Sequence, residues 1–148
     1  MPLFENAVAL IRRQLEEIQN GNRVKAFPVG TLTPAQLGAI NAVRHQGGYA
    51  PIIDEVLFLG QHVYGSRVVK DGYCIEDVIG QIVSAMDMNA TVIATQKMTA
   101  MQNLTLRTDR YGNRVRDRVV LECTTRHPRP ELYSVIPKGD VKKPKGPP

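Results

Sequence analysis

Residues 56–86, VLFLGQHVYGSRVVKDGYCIEDVIGQIVSAM, hold the reading on which the fold turns. The stretch passes from an apolar run, Val56–Leu59, through a polar knot to an amphipathic segment. Ile75, Val78, Ile79, Ile82, Val83 and Met86 fill the i, i+3, i+4, i+7, i+8, i+11 template without a miss, which predicts a core helix over 75–86. Asp77 in its first turn suits the positive end of the helix dipole, whereas Cys74 stands where a serine or threonine cap is expected, so this start should be weakly capped. The run at 56–59 fits either a short strand or a buried helical turn.

Upstream, Phe4, Val8, Ile11, Leu15 and Ile18 recur at helical spacing and predict a helix over 4–19, closed by Asn20-Gly21-Asn22. Pro28 and Gly30 argue against a central strand in the extended piece RVKAFPVG. Thr33-Pro34-Ala-Gln36 carries a cap, a proline at the first helical position and a capping box, and Gly47-Gly48 closes that second helix. Downstream of residue 86 the apolar period changes from 3.6 to 2. ATVIAT (90–95) reads as a buried strand, 103–109 and 114–125 as hairpin arms around Arg110-Tyr-Gly-Asn113, and ELYSVIP (131–137) as a last strand. Helices followed by strands predict an α+β domain over 1–138, its N-terminal helices packed on a three- to four-stranded, mostly antiparallel sheet. The tail 139–148 is rich in Pro, Gly and Lys and reads as flexible.

At 148 residues the chain suffices for one domain burying roughly two-thirds of its unfolded surface. It contains no run approaching the about 18 apolar residues of a membrane helix. Acidic and arginine residues within the first thirteen positions do not fit a secretory signal, so the chain reads as soluble and cytoplasmic where it is made. Cysteines 74 and 123 form no Cys-x-x-Cys unit, and histidines 45, 62 and 127 are not spaced as zinc ligands; no metal or other cofactor is expected. Charge is lopsided. Residues 1–100 hold 8 Lys/Arg against 9 Asp/Glu, and residues 101–148 hold 11 against 5. A basic surface built from the last third, and a polyanionic partner, follow from that imbalance.

Two constellations could carry chemistry. Arg114, Arg116 and Arg118, spaced by two, project from one face of a strand while Val115, Val119 and Leu121 share the other. With Arg107, Arg110, Tyr111, Asn113 and Lys138 nearby, they form a candidate nucleic-acid surface, because guanidinium forks bind phosphate and stay charged. The same stripe also fits a solvated face whose arginines pair with Asp109, Asp117 and Glu122. The second constellation is His62 with Tyr64, Ser66, Arg67 and Lys70. A histidine can accept and return a proton near neutrality, and adjacent cations can hold a phosphorane. The alternative is that His62 packs beside the helices while Arg67 and Lys70 solvate a loop. His127, between Arg126 and Arg129, reads as a surface residue.

No Walker or dinucleotide loop, Gly-x-Ser-x-Gly or His-Glu-x-x-His is present, and the carboxylates are too scattered for two-metal nuclease chemistry. The layout from about 33 to 138 resembles the barnase/EndoU/colicin/RelE-like RNases of phages and bacterial toxin systems. The similarity lies in a helical layer, a His62-bearing segment before the 75–86 helix, and four strands formed by ATVIAT, the hairpin arms and ELYSVIP. That resemblance implies metal-independent RNA cleavage to a 2′,3′-cyclic phosphate. It makes His62 an acid or base, with Ser66, Arg67, Lys70 and the sheet arginines around it. It also implies an immunity or antitoxin partner and delivery to a target cell. The reading from another class is a non-enzymatic phage or bacterial accessory protein that binds nucleic acid or a host protein. A third is a small homo-oligomer joined through its first helix.

Overall fold

The computed structural model describes residues 2–94, 99–122, 129–139 and 141. Cys123, His127 and nearly all of the basic tail lie outside the described residues. Helix α1 (Ala7–Gln19) is followed by strand β1 (Phe27–Thr31), helix α2 (Pro34–Gln46) and strand β2 (Glu55–Phe58). Helix α3 (Gln61–Val63) runs directly into a π-helical segment, Tyr64–Lys70, and helix α4 (Ile75–Ala85) completes the helical half. The strands β3 (Thr91–Ala94), β4 (Thr99–Gln102), β5 (Arg107–Thr108), β6 (Arg114–Glu122) and β7 (Glu131–Lys138) complete the order. Among the described residues no helix is long and apolar enough to cross a membrane.

The fold is α+β, as expected, but the sheet is larger than three or four strands and is mixed. Its order is β1-β2-β7-β6-β4-β3, with β5 pairing the start of β6. Every pair is antiparallel except β2 with β7, where Leu57 lies opposite Glu131 and Phe58 opposite Leu132. Of the added strands, β2 falls on the 56–59 run, which takes the strand rather than the helical-turn alternative, and β1 falls in the extended piece, with Pro28 and a register shift between Pro28 and Gly30. Pro28 is tolerated because β1 lies at the sheet's edge. A Cβ at Gly30 would collide with the Pro2 carbonyl, so glycine lets residues 2–4 lie along that edge, bonded to Val29 and Thr31.

One apolar cluster holds the layers together. Ile11 and Leu15 of α1, Ile40 of α2, Val63 of α3 and Val78, Ile79 and Ile82 of α4 meet Val56, Phe58, Met101, Val119, Leu121, Leu132 and Val135. Full burial of each such side chain contributes about 1.5–3 kcal/mol, so α4 is fixed to the sheet by its apolar face rather than by its caps. The weak Cys74 cap is also compensated, since Asp77 Oδ2 accepts the Cys74 N–H at 3.1 Å. The capping box of α2 forms as its sequence predicts, Thr33 and Gln36 bonding reciprocally at 3.0 and 3.1 Å.

Every buried apolar helix side chain belongs to that one cluster, so the helices cover one face of the sheet. The other face is reached by alternation. Arg114, Arg116 and Arg118 point away from buried Val115 and Val119, and Ala100 points away from Met101. ATVIAT is not a buried strand: β3 is the sheet's far edge, with Thr91 and Ala94 exposed. The 103–109 arm is interrupted: the Asn103 N–H still bonds the Asp117 carbonyl and Arg107 and Thr108 pair β6, whereas 104–106 make no ladder pairing with it.

Candidate nucleic-acid interface

The sequence-predicted basic residues divide between two places. At the sheet end where α4 begins, they meet carboxylates. Asp117, on the same face as Val115 and Val119, is fully buried, and Arg107 grips it with Nε–Oδ2 2.6 Å and Nη2–Oδ1 3.0 Å. The β5–β6 turn closes with Gly112 at φ +82°, a conformation that favours glycine, and Asp109 accepts from the Tyr111 and Asn113 backbone and from Asn113 Nδ2. This turn carries Arg110 to Asp77, at Nε–Oδ1 2.9 Å, and to the Tyr111 hydroxyl at 2.6 Å. Tyr111 in turn donates to Asp77 at 2.8 Å. Burial alone would raise the Asp77 carboxyl. The hydrogen bonds from Tyr111 and Cys74, with the charge of Arg110, outweigh it and hold the group below its ordinary value.

Arg67 belongs to the same end. Its Nη1 lies 2.6 Å from Asp71 Oδ2, and its side chain is only 14% exposed. The segment expected as a loop is helical instead, and the Tyr73 N–H closes it on the Arg67 carbonyl. Tyr73, 2% exposed, stacks edge-on against Tyr111 with ring centroids 6.0 Å apart. Burial, followed by the charges of Asp109 and Asp71, pushes its hydroxyl up to about 12. Arg67, Arg107, Arg110 and Asn113 are thus parts of a polar network that joins helix to hairpin.

The helix-free face is different. Register sets Arg118 between Gln102 and Ile136, Val120 between Ala100 and Ser134, and Arg116 opposite Lys138. Directly paired residues project to the same side. Arg118 is steadied by Gln102 Oε1, at 2.9 and 3.1 Å, and Arg116 Nε donates to the Leu104 carbonyl at 3.1 Å. Neither makes an ion pair with a described residue, and Arg114 and Lys138 have no side-chain partner among them. Of the alternative pairings with Asp109, Asp117 and Glu122, Arg107 with Asp117 forms; Arg114, Arg116 and Arg118 do not reach Asp109 or Asp117, which are turned to Asn113 and Arg107, and the Glu122 side chain lies outside the described residues. Arg116 opposite Lys138 is a like-charge cross-strand pair, an arrangement that weakens a bare sheet. Gln102, Ser134 and Thr91 on this face were not legible beforehand, because they enter it through β4, β7 and β3 register.

His62 occupies a third place. Pairing of β2 with β7 stops at Phe58 and Leu132, and α3 follows. Gln14 of α1 fixes this junction, accepting the Gly60 N–H at 2.6 Å and donating to the Lys25 carbonyl at 2.8 Å. The His62 ring stacks on Tyr133, centroids 3.9 Å apart, and Nδ1 lies 3.0 Å from the Tyr133 carbonyl. A carbonyl only accepts, so Nδ1 carries the proton and Nε2 is left as the available nitrogen of an exposed ring. Ser66 and Lys70 have no side-chain partner among the described residues. The structure does not bring Arg67 to the arginine stripe: one is held in the helical layer, the other on the opposite sheet face. Among the described residues no cluster of His, Cys, Asp or Glu is placed to hold a metal ion.

Comparison of the chain with protein-family models, curated protein sequences and solved structures finds no match.

Proposed function

We propose that this protein binds nucleic acid on the helix-free face of its sheet, with Arg114, Arg116, Arg118 and Lys138 contacting phosphate. The like-charge register of Arg116 opposite Lys138, with no neutralising carboxylate among the described residues of that row, carries the reading. Such a row is unfavourable in isolation and favourable once a polyanion lies across it. The half-exposed Val120, Ile136 and Ile93 beside it offer apolar contact. No aromatic side chain takes part in these paired rows, so stacking on bases is not their means of recognition and sequence preference should be modest. In this reading the chain is the non-enzymatic accessory protein, and Arg107, Arg110, Tyr111 and Asn113 build the platform rather than touch the ligand.

A second reading rests on His62. Its fixed tautomer and exposed Nε2, with Ser66 and Lys70 unpartnered on the same helical segment, favour metal-independent RNA cleavage of the toxin or prophage type. There Nε2 takes the 2′-hydroxyl proton as the 2′-oxygen attacks phosphorus to give the 2′,3′-cyclic phosphate, and the 5′-oxygen leaves with a proton from water. Incubating the chain with labelled RNA in EDTA, while following fluorescence anisotropy at several salt concentrations, tests both readings. Binding that weakens steeply with salt, without cleavage, is the outcome expected of the first. Cleavage lost in His62→Ala with binding retained would establish the second. No salt-dependent binding would remove the first.

A further inference from the structure

The two edges of the sheet are treated differently. The β1 edge is closed, because residues 2–4 bond to Val29 and Thr31 and Pro28 has no N–H to offer. The β3 edge is open. Thr91, Val92, Ile93 and Ala94 pair β4 on one side, and no described residue bonds their backbone on the other. The strand has no charge, proline, glycine or bulge, and three of its four residues are β-branched. An edge with none of the usual protections is a template for another strand.

We propose that β3 is a self-association edge, pairing antiparallel with β3 of a second copy to make one continuous sheet. A second copy is the occupant because the edge is uncharged and self-complementary. A two-fold axis through Val92 sets Thr91 of each copy opposite Ile93 of the other, a pairing of β-branched side chains with no like-charge conflict. Helix α2 packs against β3 and is tied to its start by Gln36 Nε2, 2.8 Å from the Asp87 carbonyl. Its exposed positions include Ala35, Gly38, Ala39 and Ala42, small and uncharged, so a second α2 can approach without burying charge. That helix adds contact area which four strand residues alone do not supply. A two-fold axis normal to the sheet keeps both helix-free faces on one side. At about 4.8 Å per strand, five spacings separate the two β6 strands by about 24 Å. The association itself does not depend on nucleic-acid binding, and the test omits nucleic acid.

Sedimentation equilibrium of the full chain across a wide concentration range, with hydrogen exchange at its two ends, is the experiment. A monomer–dimer equilibrium is expected, with amides within 91–94 gaining protection in the dimer. Ile93→Lys, a charge placed on the edge, should weaken association by roughly tenfold or more. Should that variant lose its native circular dichroism, Ala39→Glu on the exposed side of α2 serves in its place. A chain that stays monomeric throughout overturns the proposal. So does a dimer whose 91–94 amides exchange as fast as the monomer's, or one that a folded variant leaves unchanged.

Discussion

Arg107 and Arg116 lie nine residues apart on neighbouring strands and have opposite fates. Arg107 meets the buried carboxylate of Asp117 and becomes part of the interior, whereas Arg116 faces Lys138 across the ladder. Arg67 and Arg110 follow the first pattern, Arg114 and Arg118 the second. The difference is one of face. On the helical side the chain supplies Asp71, Asp77 and Asp117 to neutralise its arginines, and on the other side Arg114, Arg116 and Arg118 form no ion pair with a described residue. Net charge thus overstates the number of arginines available to a partner, and the fold sorts them into structural and exposed sets.

The largest expected effect is on the structural set. Asp117→Ala leaves Arg107 without its partner and should cost about 3 kcal/mol in urea unfolding, the lower end for a buried pair because Arg107 remains 32% exposed. An unchanged midpoint would mean that this pair does not anchor the hairpin. A smaller effect should appear at high pH. Folded Tyr73 holds its proton to about 12, while the unfolded hydroxyl releases it near 10. Its contribution is therefore complete below pH 10 and is lost as pH rises through 12. Tyr73→Phe should flatten that decline without loss at neutrality, since the hydroxyl is buried with no hydrogen-bond partner among the described residues. Stability measured from pH 8 to 11 in both proteins checks this.

Smaller still is the change on the exposed set. Lys138→Glu turns a like-charge cross-strand pair into an opposite-charge one, and thermal unfolding at low salt should show a gain of about 0.2–1 kcal/mol. A loss would mean that Lys138 is already neutralised. The smallest effect belongs to Arg110→Ala: anisotropy titrations should give nucleic-acid affinity within about twofold of wild type, because that guanidinium is committed to Asp77.

The helices were legible because α2 and α4 state their boundaries locally, α2 through Thr33-Pro34-x-Gln36 and α4 through an unbroken apolar period. The Arg114/Arg116/Arg118 alternation was legible for the same reason, since a strand's faces follow from its own residues. Partners across the sheet were not. Nothing near Lys138 in sequence marks Arg116 as its neighbour, and although alternation sets Asp117 on the face of Val115 and Val119, nothing local names Arg107 as its partner. The β2–β7 parallel pair joins residues more than seventy positions apart, and with it the stacking of His62 on Tyr133 was beyond local pattern. The helical form of 61–70 was hidden because the polar knot carries no apolar period, which left a loop around Arg67 and Lys70 as one of its readings.

The salt dependence of single-stranded RNA affinity, compared between wild type and Arg114→Ala/Arg116→Ala/Lys138→Ala, tests the assignment of the binding face most directly. Loss of three phosphate contacts should reduce the slope of log affinity against log salt by about two, at about 0.7 per contact on a single strand, and weaken binding at low salt. An unchanged slope in a folded triple variant would contradict the account.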